Sequence, residues 1–356
     1  MRLRSSRFLL ALLMPVMPVH GYLAGNNYYT LVVGFVVIAL LDFAFGEDRR
    51  NAAPEEAGTL QESRLHSAIL YLCAAADVAL IAWGASVVGT LPSLQALGLM
   101  LSVGFVTGAQ GITVAHELGH SRYDAERVLA RVLLTAVAYG HFHVEHNRGH
   151  HVRVATPEDP ASARAGESFY AFYPRAVARG WLHAWWLERE RLERRGLPFW
   201  HWRNQMLWFT AVPPIAMLAL GLAWGPRAAL FFAVQAWMAF TLLEAVNYMQ
   251  HYGLSRAPLP TGAYEKVKRA HAWNASEAVS AVFLIHLARH SDHHENPWRR
   301  YPALQHHEDS PQLPTGYPGM LLLALVPPLW FSVMNPRVPR VPAAFPTATD
   351  LTRDLP

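Results

Sequence analysis

The chain has 356 residues, room for one large domain or two ordinary ones, and 52% of them are hydrophobic against 16% charged. That charged share falls below the roughly 25% of a soluble globular domain, so the composition excludes an ordinary soluble fold and points to a membrane protein. The formal charge is +4, and the single cysteine, Cys73, excludes a disulfide framework, an iron–sulfur cluster and a four-cysteine iron site within the chain.

Met1–Arg7 carries three arginines and is followed by the apolar stretch Phe8–Gly25. A signal peptide has this layout, but no clear small-residue cleavage site follows and a second apolar run begins at once, so the stretch reads as a first transmembrane helix. Tyr29–Phe45 is the second span, and the charged segment Gly46–Arg64 with Pro54 is a surface loop. Ser67–Thr90 and Leu94–Ala115 are the third and fourth spans, joined by a turn at Leu91-Pro92-Ser93. Gln205–Trp224 and Arg227–Tyr248 are the fifth and sixth, separated by Gly225-Pro226. Each is close to the ~20 residues that a helix needs to cross a bilayer. Val128–Tyr139, punctuated by Arg131, reads as a helix lying on the membrane. Ala278–Leu287 reads as helical, and Met320–Met334, broken by Pro327-Pro328, as re-entrant or interfacial. The proline-rich tail after Asn335 reads as irregular.

The distribution of arginine orients the chain. With Arg2, Arg4 and Arg7 in the cytoplasm, the loop holding Arg49, Arg50 and Arg64 is also inside, as is the arginine-rich stretch 121–204. The ends of the fourth and sixth spans then face the cytoplasm. This matches a bacterial-type inner membrane, and no nucleic-acid partner is expected.

Histidines cluster at that face. EHNRGHHVRVATPEDP contains His146, His150 and His151; HELGH contains His116 and His120; HSDHH contains His290, His293 and His294. On a helix, i and i+4 share a face, so His146 and His150 are expected to point one way and His151 to lean toward a second metal. His251 follows as the sixth span ends, in NYMQHYGL. Imidazole suits iron, zinc, copper and nickel. HELGH alone has the H-E-x-x-H form of a zinc protease with Glu117 as base, and it resembles the intramembrane site-2 proteases. One zinc takes about three protein ligands, which leaves the other clusters unexplained. A metal transporter would need polar residues in mid-membrane, where Asp77 reads as nearly alone. The pattern favours a two-metal site.

HELGH, GHFHVEHNRGHHVRVATPEDPAS, NYMQHYGL and LARHSDHHENPWRRYPAL carry a family resemblance. They resemble the integral-membrane di-iron oxygenases and desaturases, and more narrowly the alkane 1-monooxygenases, from the fourth span to about Pro318. The resemblance implies one membrane-bound domain over 1–356, all-α, with six transmembrane helices and cytoplasmic catalytic segments at 116–204 and 249–318. It implies two non-haem iron ions on His116, His120, His146, His150, His151, His251, His290, His293 and His294. Glu265 matches an acidic residue of the family, and Glu117 and Glu145 are the other candidate catalytic carboxylates. Asp292, Glu158, Asp159, His271 and Asn274 would stand behind the ligands and orient them. Gln250 stands where alkane hydroxylases commonly carry Glu, and His143 where Tyr or Phe is usual, which keeps an aryl-methyl (xylene-type) hydroxylase or a fatty-acyl desaturase as alternatives. The activity implied is O2-dependent hydroxylation of a terminal methyl group, with a hydrophobic substrate arriving through the lipid bilayer. Electrons would come from a rubredoxin or ferredoxin-type carrier with its reductase. Arg189, Arg191, Arg194 and Arg195 could dock that carrier, or simply face anionic lipid.

Overall fold

Apolar helices long enough to cross a bilayer dominate the architecture. The computed structural model describes residues 6–339, and their regular structure is helical apart from isolated bridges. A 3-10 stretch, Arg7–Leu13, leads through a turn at Met14-Pro15 into α1 (Val16–Leu23). The single span expected over Phe8–Gly25 is therefore interrupted, at a proline that has no N–H to continue a helical ladder. α2 (Tyr29–Phe45) is apolar and shorter than the long spans. Four helices have the length and composition of membrane spans: α3 (Arg64–Thr90), α4 (Ser93–Gly119), α7 (Gln205–Trp224) and α8 (Pro226–His251). Between α4 and α7 lie α5 (Asp124–Ala136) and α6 (Phe169–Glu193). The chain closes with α9 (His290–Glu295), α10 (Tyr317–Ala324) and α11 (Pro327–Met334). The break between the last two, just before Pro327-Pro328, fits the expectation of a stretch too broken to span.

The chain is a multi-pass membrane protein built around α4. Its apolar window is 83% buried, against 50% for α3 and α8 and 11% for α7. Small residues allow this central place. A Cβ at Gly104 would lie 2.6 Å from the Gln235 carbonyl oxygen, and one at Gly108 would lie 2.8 Å from Ala239 Cα. The pair forms a small-xxx-small face on which α8 lies backbone to backbone. Thr107 Oγ1 meets Gln235 Oε1 at 3.1 Å across the same contact. From this contact onward, Thr107–Ile112 widens into a π-helical turn, which shifts the register on which His116 and His120 are presented.

Further stretches depart from the sequence reading, and Pro54–Gln61 is helical inside the expected surface loop. α6 emerges from what reads as an arginine-rich surface stretch. Ser168 caps it by accepting from Ala171 N, and Phe169, Phe172, Ala176, Gly180, Ala184 and Leu187 form its buried face. Ala278–Leu287 is helical only over Ser280–Phe283. Ile285 and His286 then take φ of 42° and 58°, which no right-handed helix can contain. His286 is held there by Arg7, 2.7 Å from its Nε2, and by the Tyr301 carbonyl, which accepts from Nδ1 at 3.2 Å. The expected surface helix over Val128–Tyr139 corresponds to α5, which buries Ala130, Leu133 and Leu134 and exposes Val128 and Val132.

Candidate metal centre

Four places in the chain bring histidines together. His116 lies in the last turn of α4 and His120 directly follows it; His146, His150 and His151 lie on short helical turns after α5; His251 ends α8; His290, His293 and His294 lie on α9. Their ring nitrogens gather into two sets. His116, His120, His146, His151 and His293 form one, and His150, His251, His290 and His294 the other, with the nitrogens of each set within 4.8 Å of one another.

This division corrects the helical-face expectation. His146 pairs with His151, their Nε2 atoms 3.0 Å apart, while His150 turns to the second set. The cause is local: His146–His150 is a π-helical turn, closed by the His151 N–H on the His146 carbonyl, so i and i+5 share a side rather than i and i+4. Gly149 permits the turn, because a Cβ there would stand 2.5 Å from Glu145 Oε1 and 2.9 Å from His183 Cε1. On α9 ordinary helical spacing holds, and His290 and His294 share the second set while His293 faces the first.

The donors fit a metal. His150 Nδ1 donates to Asp159 Oδ2 at 2.9 Å, and His251 Nδ1 donates to the His271 carbonyl at 3.2 Å. Each ring therefore directs a bare Nε2 lone pair inward. These meet His294 Nε2 at 3.3 Å and His290 Nε2 at 3.2 Å, with His290 and His294 only 3.0 Å apart. Nitrogens about 2.0–2.1 Å from one ion sit at such mutual distances. In the first set, Nε2 contacts of 3.1 Å (His120 to His146) and 3.2 Å (His151 to His293) repeat the pattern, and His116 Nε2 is buried without a hydrogen-bond partner. Buried polar atoms left unpaired are costly, and a cation in each set would satisfy them. Nine imidazoles without a thiolate suit iron or another borderline metal.

The expected supporting residues divide. Asp159 holds His150 and is itself held by Ser162 Oγ at 2.6 Å and Ala161 N at 3.1 Å. Burial opposes its charge, but His150 and Ser162 keep its carboxyl below the ordinary range. His271 supports His251 through its carbonyl, and its ring accepts from Lys268 N at 3.0 Å. Asn274 accepts from Ser291 N at 2.8 Å and so fixes the start of α9. Glu145 holds His183 Nδ1 at 3.1 Å rather than a member of either set. Glu117 accepts from Tyr301 N at 3.2 Å, and Asp292 binds Arg299, His307 and Gln305 N, so both carboxylates tie down the loop after α9. Glu158 pairs with Arg153 at the surface, its side chain 64% exposed. Glu265 pairs with Lys268, accepts from Ala257 N at 3.1 Å and stands 3.3 Å from His271 Nε2. It reaches the histidines only through His271, and Lys268 and the Ala257 N–H hold its carboxyl down at about 2.

Two residues escaped the sequence reading. Glu244 lies buried in α8, bonded by the Tyr139 hydroxyl at 2.7 Å, so Asp77 is not the lone acid of the spans. An acid inside an apolar run was the available signal. His183, in α6, contacts Glu145 and stacks on Trp186 at 5.5 Å, and no local pattern marked it. The arginines expected to dock a carrier are largely engaged: Arg189 with Glu193, Arg194 with Glu190 and Arg191 with Glu188.

An apolar cavity reaches both sets. It runs from Gly34 and Phe35 of α2 past Phe105 to His116 and His146 of the first set and His290 of the second. Gln250 lines it and donates to the Tyr317 hydroxyl at 2.6 Å.

The family model described as "Fatty acid desaturase" matches residues 91–323. The chain is 45% identical over 317 residues to "Alkane 1-monooxygenase 2" of Pseudomonas aeruginosa, covering 87% of this chain and 84% of that protein. It is 39% identical over 340 residues to "Alkane 1-monooxygenase" of Ectopseudomonas oleovorans, covering 93% and 84%. Similarity to "Xylene/toluene monooxygenase hydroxylase component XylM" of Pseudomonas putida is lower, 29% identity over 243 residues, covering 68% of this chain and 64% of that protein.

Proposed function

We propose, from the premise that this chain belongs to the fatty acid desaturase family and within it to the alkane 1-monooxygenases, that it hydroxylates the terminal methyl group of a medium-chain alkane to a primary alcohol. The observation that carries the reading is the apolar cavity on which histidines of both sets open. A hydrocarbon leaves lipid readily for such a lining, and its end would arrive between the two sets. The higher identity to alkane 1-monooxygenases than to the xylene-type protein favours an alkane over an aryl methyl group.

The nine histidines would hold two non-haem iron ions, His116, His120, His146, His151 and His293 about one and His150, His251, His290 and His294 about the other. Those ions would supply the activation of O2 that an unactivated C–H bond requires. The chain's own residues do the rest. Asp159 and the His271 carbonyl fix the tautomers of His150 and His251, so each offers Nε2. Leu242, Val246 and Leu287 keep water from the cavity wall. Gln250 and Tyr317 are among the polar groups of that wall and form a hydrogen-bonded pair at which the product hydroxyl can be received.

The same reading gives one domain over 1–356, six spans with 8–25 and 29–45 as the first two, and an inner-membrane location with the N-terminus and histidines cytoplasmic. It also needs a rubredoxin or ferredoxin-type carrier and its reductase for electrons. The test is metal content of the purified full chain, followed by product analysis with carrier, reductase, O2 and octane. Two irons per chain and 1-octanol are expected. One zinc and no O2 uptake would overturn the reading, and oxidation of toluene but not octane would move the substrate to the aryl-methyl class.

A further inference from the structure

α7 is the least buried of the long apolar helices, with 11% of its apolar window covered. It stands off from α3 and leaves a groove of about 1100 Å³ between them, roofed by α5 and by the chain entering α7. The lower walls are apolar, including Val78 and Ile81 from α3 and Val212, Ala216 and Leu220 from α7. Arg131, Arg191, Arg195 and Arg203 crowd the upper end, and no carboxylate lines the groove.

The pairing of these arginines is uneven. Arg191 is committed to Glu188 at 2.6 Å. Arg131 donates only to the neutral Gln205 Oε1 at 3.3 Å, and Arg203 lies over the Trp202 ring at 5.2 Å. Among the described residues, Arg131, Arg195 and Arg203 have no carboxylate partner. By contrast Arg189 and Arg194, which do not line the groove, each pair with a glutamate of α6. Trp202 and Trp208, 66% and 56% exposed, stand at the same end. Exposed tryptophans favour the headgroup level of a bilayer. Cationic groups are thus set at headgroup height above a cleft of acyl-chain polarity.

We propose that this groove binds one anionic diacyl phospholipid, its phosphate held by Arg131, Arg195 and Arg203 and its acyl chains laid between α3 and α7. Charge complementarity selects this occupant. An acidic protein would meet the arginines but leave the apolar cleft open, and a second copy of this chain would bring arginines against arginines.

The test is native mass spectrometry of the delipidated full chain titrated with phosphatidylglycerol, phosphatidylcholine or inorganic phosphate. One phosphatidylglycerol per chain is expected, bound at least tenfold more tightly than phosphatidylcholine and not displaced by millimolar phosphate. Arg131→Gln/Arg195→Gln/Arg203→Gln should lose at least tenfold in affinity, while Arg189→Gln/Arg194→Gln should bind as the parent does. Ala216→Trp fills the apolar cleft without changing charge and should lose the lipid too, so the proposal stays open to test where the triple variant fails to fold. Equal binding of the two lipids, competition by phosphate, undiminished binding by either groove variant, or pairing of two chains that excludes lipid would each overturn it.

Discussion

Asp159 shows how much one residue can decide. It is fully enclosed, accepts from three donors and determines which nitrogen of His150 faces inward. Removing such a partner from a ligating imidazole typically costs roughly 10–100-fold in metal affinity. Asp159→Ala is therefore expected to lower iron occupancy and activity together, while His201→Ala leaves both unchanged; metal analysis after dialysis against a weak chelator reads the difference. That the histidine clusters would meet was legible in the sequence, because doublets spaced from a third histidine are rare by chance, whereas His251 was joined to them as a ligand only by the family resemblance. Their allotment between two sets was not legible, since it turns on the π-helical closure at His146–His150, and periodicity assumed an ordinary helix. The supporting carboxylates were least legible. Glu158 and Asp159 are neighbours in sequence, yet one is at the surface and the other inside, and composition cannot tell them apart.

At the scale of elements, the long spans were read well because about 20 apolar residues leave little choice of conformation, whereas α6 was missed. Its buried face carries no long apolar run, only spaced aromatic and small residues among arginines. What anchors it is Glu188. Burial pushes that carboxyl up, but Arg191, the Gln205 N–H and Arg148 together outweigh the effect and hold it down at about 2, below its ordinary 4.5. A carboxyl depressed in the folded state contributes stability that is complete above the unfolded value and is lost as pH falls toward the folded one. Glu188→Gln breaks a buried pair worth ~3–5 kcal/mol when one partner is removed. The gap in thermal midpoint between parent and variant, measured on metal-free protein, should hold steady from pH 7 to about 4.5 and shrink markedly by pH 3. A gap unchanged at pH 3 would mean that Glu188 acts by shape and not by charge.

At the scale of the whole molecule, helices from distant parts of the chain converge on one end of the bundle, where α4, α8 and α9 each deliver histidines of the two sets. The two doublets give this end an unusual mechanics. His150 and His151 are adjacent, as are His293 and His294, and in both cases the neighbours belong to opposite sets. Consecutive Cα atoms are held about 3.8 Å apart by a rigid peptide unit, so two short struts clamp the centres to each other. Filling one centre stiffens the scaffold of its neighbour and lowers the entropy that the second ion must still take away. Uptake of ferrous ion by the stripped protein should then be cooperative, with the singly loaded chain scarce at half saturation in native mass spectra. A statistical mixture of empty, single and double species would mean that the struts yield. Such a linkage would let the enzyme exist as either complete or empty, with little of a half-built oxidant exposed to the membrane.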